Sequence, residues 1–425
     1  MAIIKIKNFG PIEKNLQSAD GLFVVKFLPV TVFIGHQASG KSTIAKLYSI
    51  FKWIEKKVAS GDFSVDMINN EFFRTCCYRQ DVSEYFSVYT KILYEGDICN
   101  FEYENNKLKV TMVNSAISKE YILPKIQYVS AARNLLTILD RVPNQSIADK
   151  KGNVVDTLSN IPFMVRDLNA EYIKALSSLD NTFFSLPIDE TSVFYEDHNT
   201  FIRTKNKKIS IGAASSGIQS ITPLLLVSKF LSNEVNKNLF TKLQSVSSGL
   251  KKRIEEKILE TKNEKLLEQF NLYYIGGKDF IKNDDMLQKL LNFVNKYIPA
   301  CFVNVVEEPE QNLFPETQAD ILYELLKYKN ENKFNQLIIS THSPYILTAL
   351  NNAILANDIY IRRNKYIDEI PKDKMISFEN ISVYKLEKGN IIPVKDTESR
   401  LIDASQIDDC SIKIDKIFND LMELN

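Results

Sequence analysis

Three short stretches of this chain carry residue types that can do chemistry together. Residues 35–43 read Gly-His-Gln-Ala-Ser-Gly-Lys-Ser-Thr, a gapless match to the phosphate-loop pattern G-x-x-x-x-G-K-[ST]. Gly35 and Gly40 let the backbone curl, so that successive amides through His36, Gln37 and Ser39 point inward and cradle a β-phosphate at a helix N-terminus. Lys41 is placed to neutralise β- and γ-phosphate oxygens, Ser42 to give its hydroxyl to Mg²⁺, and Thr43 to reach the α-phosphate. The second stretch is the acidic pair Glu307-Glu308. Hydrolysis of Mg²⁺·ATP needs one carboxylate near the metal shell and another that orients or deprotonates the attacking water, and the pair can supply both. The third is His342 in Ser-Thr-His-Ser-Pro, a turn from which an imidazole can donate to the γ-phosphate. Alone, the pair would read as surface charge and the histidine as a structural side chain.

What gives them roles is the elements that hold them. Each stretch follows an apolar run of strand type: residues 30–34, 302–306 and 336–340. After the phosphate loop, Ile44, Leu47, Tyr48, Phe51 and Ile54 recur at helical spacing, and a second helix is expected over about 316–328 with Ile321, Leu322, Leu325 and Leu326 on its apolar face. Strands alternating with helices describe an open α/β sheet, which binds its ligand at the carboxyl ends of the strands. Three such ends here carry chemistry.

The remaining chain reads as follows. Residues 3–9 alternate Ile and Lys as an edge strand, turned by Gly10-Pro11 toward a partner at 23–27. Residues 60–89 are polar, aromatic-rich and without a periodic pattern. Residues 98–113 form a hairpin turning at Glu104-Asn105-Asn106, and a strand at 126–129 ends at Ser130-Ala131-Ala132-Arg133. Residues 156–179 are helical in pattern, with a stop near Pro187. Residues 199–211 suggest a strand whose basic face (Arg203, Lys205, Lys207, Lys208) is either solvated or set against DNA. The small residues 212–220 precede a helix start and suggest a second phosphate-contacting cap. Residues 228–285, rich in Lys, Glu, Asn and Leu and free of proline, predict a helical insertion. A hairpin over 383–394 turns at Gly389-Asn390, and a last helix is expected over 412–422. The expected division is 1–227, 228–290 and 291–425.

With 425 residues, 44% hydrophobic and 25% charged, the composition is that of a soluble globular protein. Its zero formal net charge argues against a surface built mainly to hold nucleic acid. Cys76, Cys77, Cys99, Cys301 and Cys410 include no C-x-x-C pair, and with three histidines they offer no zinc spacing, so reduced thiols are expected. Neither a signal peptide nor a membrane span is read, and the expected location is cytoplasmic.

Taken together, these motifs resemble the ABC-type ATPases of the SMC, RecF and OLD (overcoming lysogenization defect) group, most closely the OLD-like ATPases of bacterial anti-phage systems. The resemblance rests on Ile-Lys-Ile-Lys-Asn-Phe-Gly near the N-terminus, the phosphate loop, Ser215-Ser216-Gly217-Ile218-Gln219 as signature motif, Glu307-Glu308-Pro309-Glu310 as Walker B, and His342 as switch histidine. It implies an α/β fold: an ABC-type P-loop ATPase with a central mixed sheet, an N-terminal antiparallel β meander and a helical insertion. It also implies ATP and Mg²⁺ as ligands, Ser42 and Glu307 at the metal, and Lys41, Glu308 and His342 in catalysis. In such families the signature of one subunit closes over ATP held by another, so Ser215, Ser216, Gly217 and Gln219 would act in trans in a homodimer or larger assembly. Residues 128–133, Arg133 among them, resemble the segment coupling nucleotide state to the signature lobe. The signature differs from the Leu-Ser-Gly-Gly-Gln of transporters, and the long stretch to Walker B also speaks against a transporter subunit. The acidic motifs of the TOPRIM nuclease found in many OLD proteins are not read after His342, and Glu95-Gly96-Asp97 reads as a turn.

The reading reached is an ATPase that senses infection or gates a separately encoded effector, a nuclease or toxin. A DNA-binding repair or maintenance ATPase of the RecF or SMC kind is the alternative, and a scaffold that binds ATP without turnover is a third.

Overall fold

A computed structural model describes residues 2–113, 121–139, 147–148, 154–155, 162–180, 182–188, 190–205, 207–245, 248–276 and 284–403. The chain opens with β1 (Ala2–Phe9), which buries Ile4 and Ile6 and leaves Lys5 and Lys7 at the rim, the alternation of a strand with one dry face. β2 (Phe23–Phe27) follows, then β3 (Val30–Gly35), the phosphate loop and α1 (Lys41–Ala59). The unassigned stretch 60–89 folds as α2 (Asn70–Arg79), capped by the Asn69 side chain on the Phe72 amide, and the start of β4 (Phe86–Glu95). With β5 (Cys99–Glu104) and β6 (Lys107–Met112), these strands make an antiparallel sheet in the order β2-β1-β4-β5-β6. β4 is its middle strand, and its first half is solvent-facing at Val88 and Tyr89, which hid it from periodicity.

β7 (Pro124–Val129), α3 (Asn134–Leu139), the short pair β8 (Ile147–Ala148) and β9 (Val154–Val155), and α4 (Phe163–Ser177) come next. The helix predicted over 156–179 therefore starts at Phe163, and residues 156–161 lie outside the described residues. A second antiparallel sheet holds β10 (Phe183–Ser185), β11 (Ser192–Glu196), β12 (Asn199–Thr204) and β13 (Lys207–Ser210). The single basic strand expected over 199–211 is thus a hairpin, with Thr204 opposite Lys207.

α5 (Ser216–Asn236) runs through Val227, where the sequence places the start of the insertion, because its apolar face continues through Leu231 and Val235. The insertion itself is α6 (Leu239–Ser245), α7 (Ser248–Glu260), α8 (Glu264–Gly276) and α9 (Asp284–Val294). It has a small core of its own around Leu243, Ile254, Phe270 and Leu290. β14 (Cys301–Glu307), α10 (Pro315–Asn330), β15 (Gln336–Thr341) and α11 (Pro344–Arg363) return the chain to the central sheet. α11, not read in the sequence, starts at Pro344 behind a Ser343 cap that accepts from the Tyr345 amide at 3.1 Å. β16 (Ile381–Glu387) and β17 (Asn390–Pro393) form the expected hairpin; the helix expected over 412–422 lies outside the described residues.

The central sheet has the order β17-β16-β3-β15-β14-β7, with β16, β3, β15, β14 and β7 parallel and β17 antiparallel at one edge. Successive residues serve opposite layers. Val32, Val306 and Ile339 pack with α4, α5, α10 and α11, while Phe33, Val305 and Ile338 pack with α1 and the meander. A sheet dry on both faces explains why its strands are apolar runs rather than alternating ones. No helix among the described residues is long and apolar enough to cross a membrane.

The meander is fastened to α1 by a buried charge cluster. Glu55 is fully buried and accepts from Lys52 Nζ at 2.9 Å, Tyr94 Oη at 2.7 Å and the Ile98 amide at 2.9 Å, while Lys52 also reaches Asp97 at 2.8 Å. Removing one partner of such a pair leaves the others desolvated, so Glu55→Ala should cost about 3–5 kcal/mol. Urea unfolding followed through the fluorescence of Trp53, two residues away on α1, should show a lower midpoint; an unchanged midpoint would rule out this cluster as a fastener.

Candidate nucleotide site

The phosphate loop owes its shape to two glycines. Gly35 has φ 151° and lies so close to β16 that a Cβ would sit 2.1 Å from the Leu386 carbonyl oxygen; Gly40 has φ 99° and faces Ile12. Between them His36 and Gln37 stand exposed at the tip, and Ser39 is buried with an unpartnered hydroxyl. Lys41 and Thr43 are buried in the first turn of α1, and Ser42 is half-buried. Lys41 Nζ donates to the carbonyls of Gly35 and His36, both at 2.8 Å, and lies 3.3 Å from His342 Nδ1.

His342 bridges two groups, because its Nε2 lies 3.3 Å from Glu308 Oε1. The tautomer that satisfies both contacts accepts from the Lys41 ammonium at Nδ1 and carries its proton on Nε2. A Lys41–His342–Glu308 chain therefore links the phosphate loop, the β15 end and the β14 end. The Glu308 carboxyl is held below its ordinary range, chiefly by the hydrogen bond from His342, with added support from the Arg133 and Lys41 charges. It stays anionic through neutral pH, which suits orienting and polarising a water better than abstracting its proton outright. Its backbone is in the left-handed region at φ 44°, with its amide donating to the Ser340 carbonyl at 2.7 Å.

Glu307, buried at the end of β14, accepts from Tyr128 Oη at 2.5 Å and from the Ala131 amide at 3.0 Å. The Ser42 hydroxyl is near enough to the Tyr128 phenol to oppose the rise that burial and Glu307 impose on its pKa. The two residues assigned to a metal thus both neighbour one phenol. Their hard oxygens, a hydroxyl and a carboxylate, suit Mg²⁺, which takes few protein ligands and leaves room for phosphate and water. The unpartnered Ser39 hydroxyl, the left-handed glycine cradle and the buried ammonium of Lys41 fit a phosphate group.

Two residues do more than the sequence revealed. Arg133, fully buried, donates to the Glu307 and Glu308 carbonyls at 2.6 Å each and to the Ser220 carbonyl at 3.0 Å. Glu310 accepts from the His342 amide at 2.6 Å; burial raises its pKa, and its second carboxyl oxygen has no partner. The one available clue was its place two residues beyond Glu308, inside the acidic run.

The remaining candidates stand on α5. Ser215 caps the helix by accepting from the Ile218 amide, and Ser216 is exposed beside it. Gly217 is buried against the loop after Glu308, where a Cβ would lie 2.7 Å from the Asn312 carbonyl. The Gln219 side-chain amide donates to Gly212 at 3.2 Å and Ala214 at 2.9 Å, both in its own loop. Ser220 Oγ donates to Gln311 Oε1 at 3.3 Å. Within one chain, then, this segment is built onto the loop after Glu308 and presents two exposed hydroxyl residues.

A largely parallel sheet with a phosphate loop, an acidic strand end and a histidine turn at one edge, joined to a β meander and a helical lobe, is an α/β P-loop fold. A family model described as "AAA domain, putative AbiEii toxin, Type IV TA system" matches residues 303–348, from β14 into α11. Among solved structures, the chain is similar to an SMC head bound to the C-winged helix domain of ScpA, at 9% identity over 92% of this chain and 96% of that one, TM-score 0.37. It is also similar to an SMC head domain from Thermotoga maritima, at 11% identity over 92% and 97%, TM-score 0.33. A nucleotide-free ATP-binding cassette from an ABC transporter matches at 13% identity over 92% and 90%, TM-score 0.25. A search of curated proteins found no match.

Burial lowers the Lys41 ammonium to about 8, offset in part by Glu308, Glu310 and Glu307. A bound phosphate favours the charged lysine, so nucleotide affinity is fully present below this value and is lost as pH rises through it. Affinity for a non-hydrolysable ATP analogue should therefore fall about tenfold per pH unit above 8 until the bound-state pKa is reached. In Lys41→Arg the profile should be flat over the same range; a flat wild-type profile would show that Lys41 does not contact the phosphates.

Proposed function

We propose that this chain binds and hydrolyses ATP, and that two copies close over the nucleotide as the regulatory component of a prokaryotic anti-phage defence system with a separate nuclease or toxin effector. The observation that carries the ATPase reading is the Lys41–His342–Glu308 chain, in which a histidine contacts a phosphate-loop cation on one side and a carboxylate on the other. Glu308 orients the attacking water, His342 and Lys41 take up charge developing on the γ-phosphate, and Ser42 and Glu307 hold Mg²⁺, which polarises the phosphates when bound. Ser216, exposed at the start of α5, is free to meet nucleotide held by a second copy. The defence role draws on the OLD-like motif set and on the description of the family model matching residues 303–348.

Glu308→Gln should lower ATP turnover by about 10²–10⁴-fold while keeping nucleotide binding. The mass of the protein in solution should rise with Mg²⁺·ATP in this variant and stay unchanged in Ser216→Arg. A mass indifferent to nucleotide, together with undiminished turnover in Ser216→Arg, would overturn the trans-acting signature. Degradation of nucleic acid by the purified chain, lost in Glu308→Gln, would overturn the separate effector.

One observation favours the second reading, a DNA-binding maintenance ATPase. Arg203, Lys205, Lys207 and Lys208 line an open groove of about 550 Å³ together with Phe183, whose ring is exposed. Lys208 is already engaged by Glu196 and by the Phe194 and Phe201 rings. If the groove holds DNA, affinity should drop steeply with salt and the salt slope should flatten in Lys205→Ala/Lys207→Ala. Binding absent at low salt would remove this reading.

A further inference from the structure

A second cavity, of about 230 Å³, lies between α1, α2, α4 and β7, on the side of α1 away from its core stripe. Ser49, Trp53 and Lys56 reach it at i, i+4 and i+7 spacing, and Phe163 adds a second ring. Its polar groups are unusual in lacking partners. Gln127 is 1% exposed; its amide nitrogen donates to the Tyr128 carbonyl, and its Oε1 is buried without a donor. Gln80 Oε1, at the C-cap of α2, is likewise buried without a donor, although the residue as a whole is half-buried. Among the described residues no acceptor pairs with the Lys56 ammonium, and Arg79 has only the Phe163 ring beneath it, at 5.4 Å. Burial and the neighbouring Lys125 and Lys57 charges lower Lys56 to about 8, so the ammonium gains from any anion brought beside it. Of the two carboxylates at the wall, Glu171 is engaged by Lys125 at 2.8 Å and Lys174 at 2.9 Å, and Asp167 has its pKa raised by burial.

Buried acceptors without donors, a half-buried lysine and an exposed arginine without a paired carboxylate, and two aromatic rings around one cavity describe the complement of a ligand. We propose that this cavity binds a small planar ring carrying N–H donors and one anionic group. The ring lies against Trp53 and Phe163, its N–H groups meet Gln127 and Gln80, and its carboxylate or phosphate meets Lys56 and Arg79. The volume falls just below the usual range of about 300–1,000 Å³ for ligand sites, which limits the ring to one or two fused cycles.

The cavity is coupled to the nucleotide site through Tyr128. Tyr128 forms part of the wall, and its hydroxyl donates to Glu307 at 2.5 Å. A ligand pressing on this stretch of β7 shifts the residue that holds the Glu307 carboxylate, so occupancy changes ATP turnover. This coupling rests on the ATPase reading; the binding does not.

Trp53 is the only tryptophan in the chain, so 5-fluorotryptophan incorporation yields one ¹⁹F resonance that reports on this cavity. Orotate, with two ring N–H groups and a carboxylate, and cytidine monophosphate, with two N–H bonds on its amino group and a phosphate, serve as probes. The expected result is a saturable shift with at least one of them in wild type. In Lys56→Met and Arg79→Gln the apparent affinity should weaken at least about tenfold, or about 1.4 kcal/mol, and Lys109→Met, on the meander surface, should leave it unchanged. No saturable shift with either probe at millimolar concentration, or a shift indifferent to both cavity variants, overturns the site. A several-fold change in ATP turnover at saturating probe, absent in Tyr128→Phe, supports the coupling. Binding with unchanged turnover in an active ATPase overturns the coupling alone, and loss of turnover in all proteins tested with binding intact places the failure in the ATPase reading.

Discussion

A fully buried guanidinium holds the acidic strand end of this molecule in place. Arg133 is fully buried, and burial lowers its pKa to about 10, yet its hydrogen bonds run to main-chain carbonyls at Ser130, Ser220, Glu307 and Glu308. Charge-assisted bonds of this kind contribute roughly 1.5–3 kcal/mol each, enough in combination to offset much of the desolvation of one cation. What they stabilise is backbone direction. Glu308 occupies a left-handed conformation that a glutamate adopts only under constraint, and Arg133 on one side and the Ser340 carbonyl on the other supply it.

Because Arg133 also grips Ser220, α5 and the acidic strand end are tied together through one side chain. Gly217 packs against Asn312, and Ser220 bonds Gln311, so the loop between the acidic pair and α10 is clasped by α5 along its length. The histidine turn is tied to the same loop by Glu310, and Ser343 is tied to Gln318 at 2.5 Å. Charge and geometry thus converge on one strand edge: the Glu308 carboxylate is kept ionised by His342, and His342 is held in register by a neighbouring carboxyl whose own pKa burial raises.

The parts legible in the sequence were those with a local signal. A β-branched run, a glycine-spaced loop and a helical stripe occur within about two dozen consecutive residues, and the acidic pair and histidine each end an apolar strand. β4 was not legible, since Val88 and Tyr89 face solvent at the head of the middle strand of its sheet. The split of the basic segment into β12 and β13 depends on a tight reversal between Thr204 and Lys207 without a glycine to mark it. The bonds of Arg133 to carbonyls at positions 220, 307 and 308 leave no trace in any periodicity, and neither does the cavity beside Trp53. Both are products of elements distant in the chain, and only packing reveals them.

The position of β3 has a consequence for how the protein is made. Its neighbours are β15 and β16, more than 300 residues later in the chain, and the glycine at its end fits under a carbonyl of β16. During synthesis the phosphate loop therefore leaves the ribosome long before either flanking strand exists, and its strand must wait as an apolar segment without hydrogen-bonding partners. The antiparallel meander, whose five strands are complete by Met112, and its clasp on α1 give that segment a dry surface to rest on in the interval. The order of translation thus delays completion of the phosphate-loop surroundings until β16 has been made.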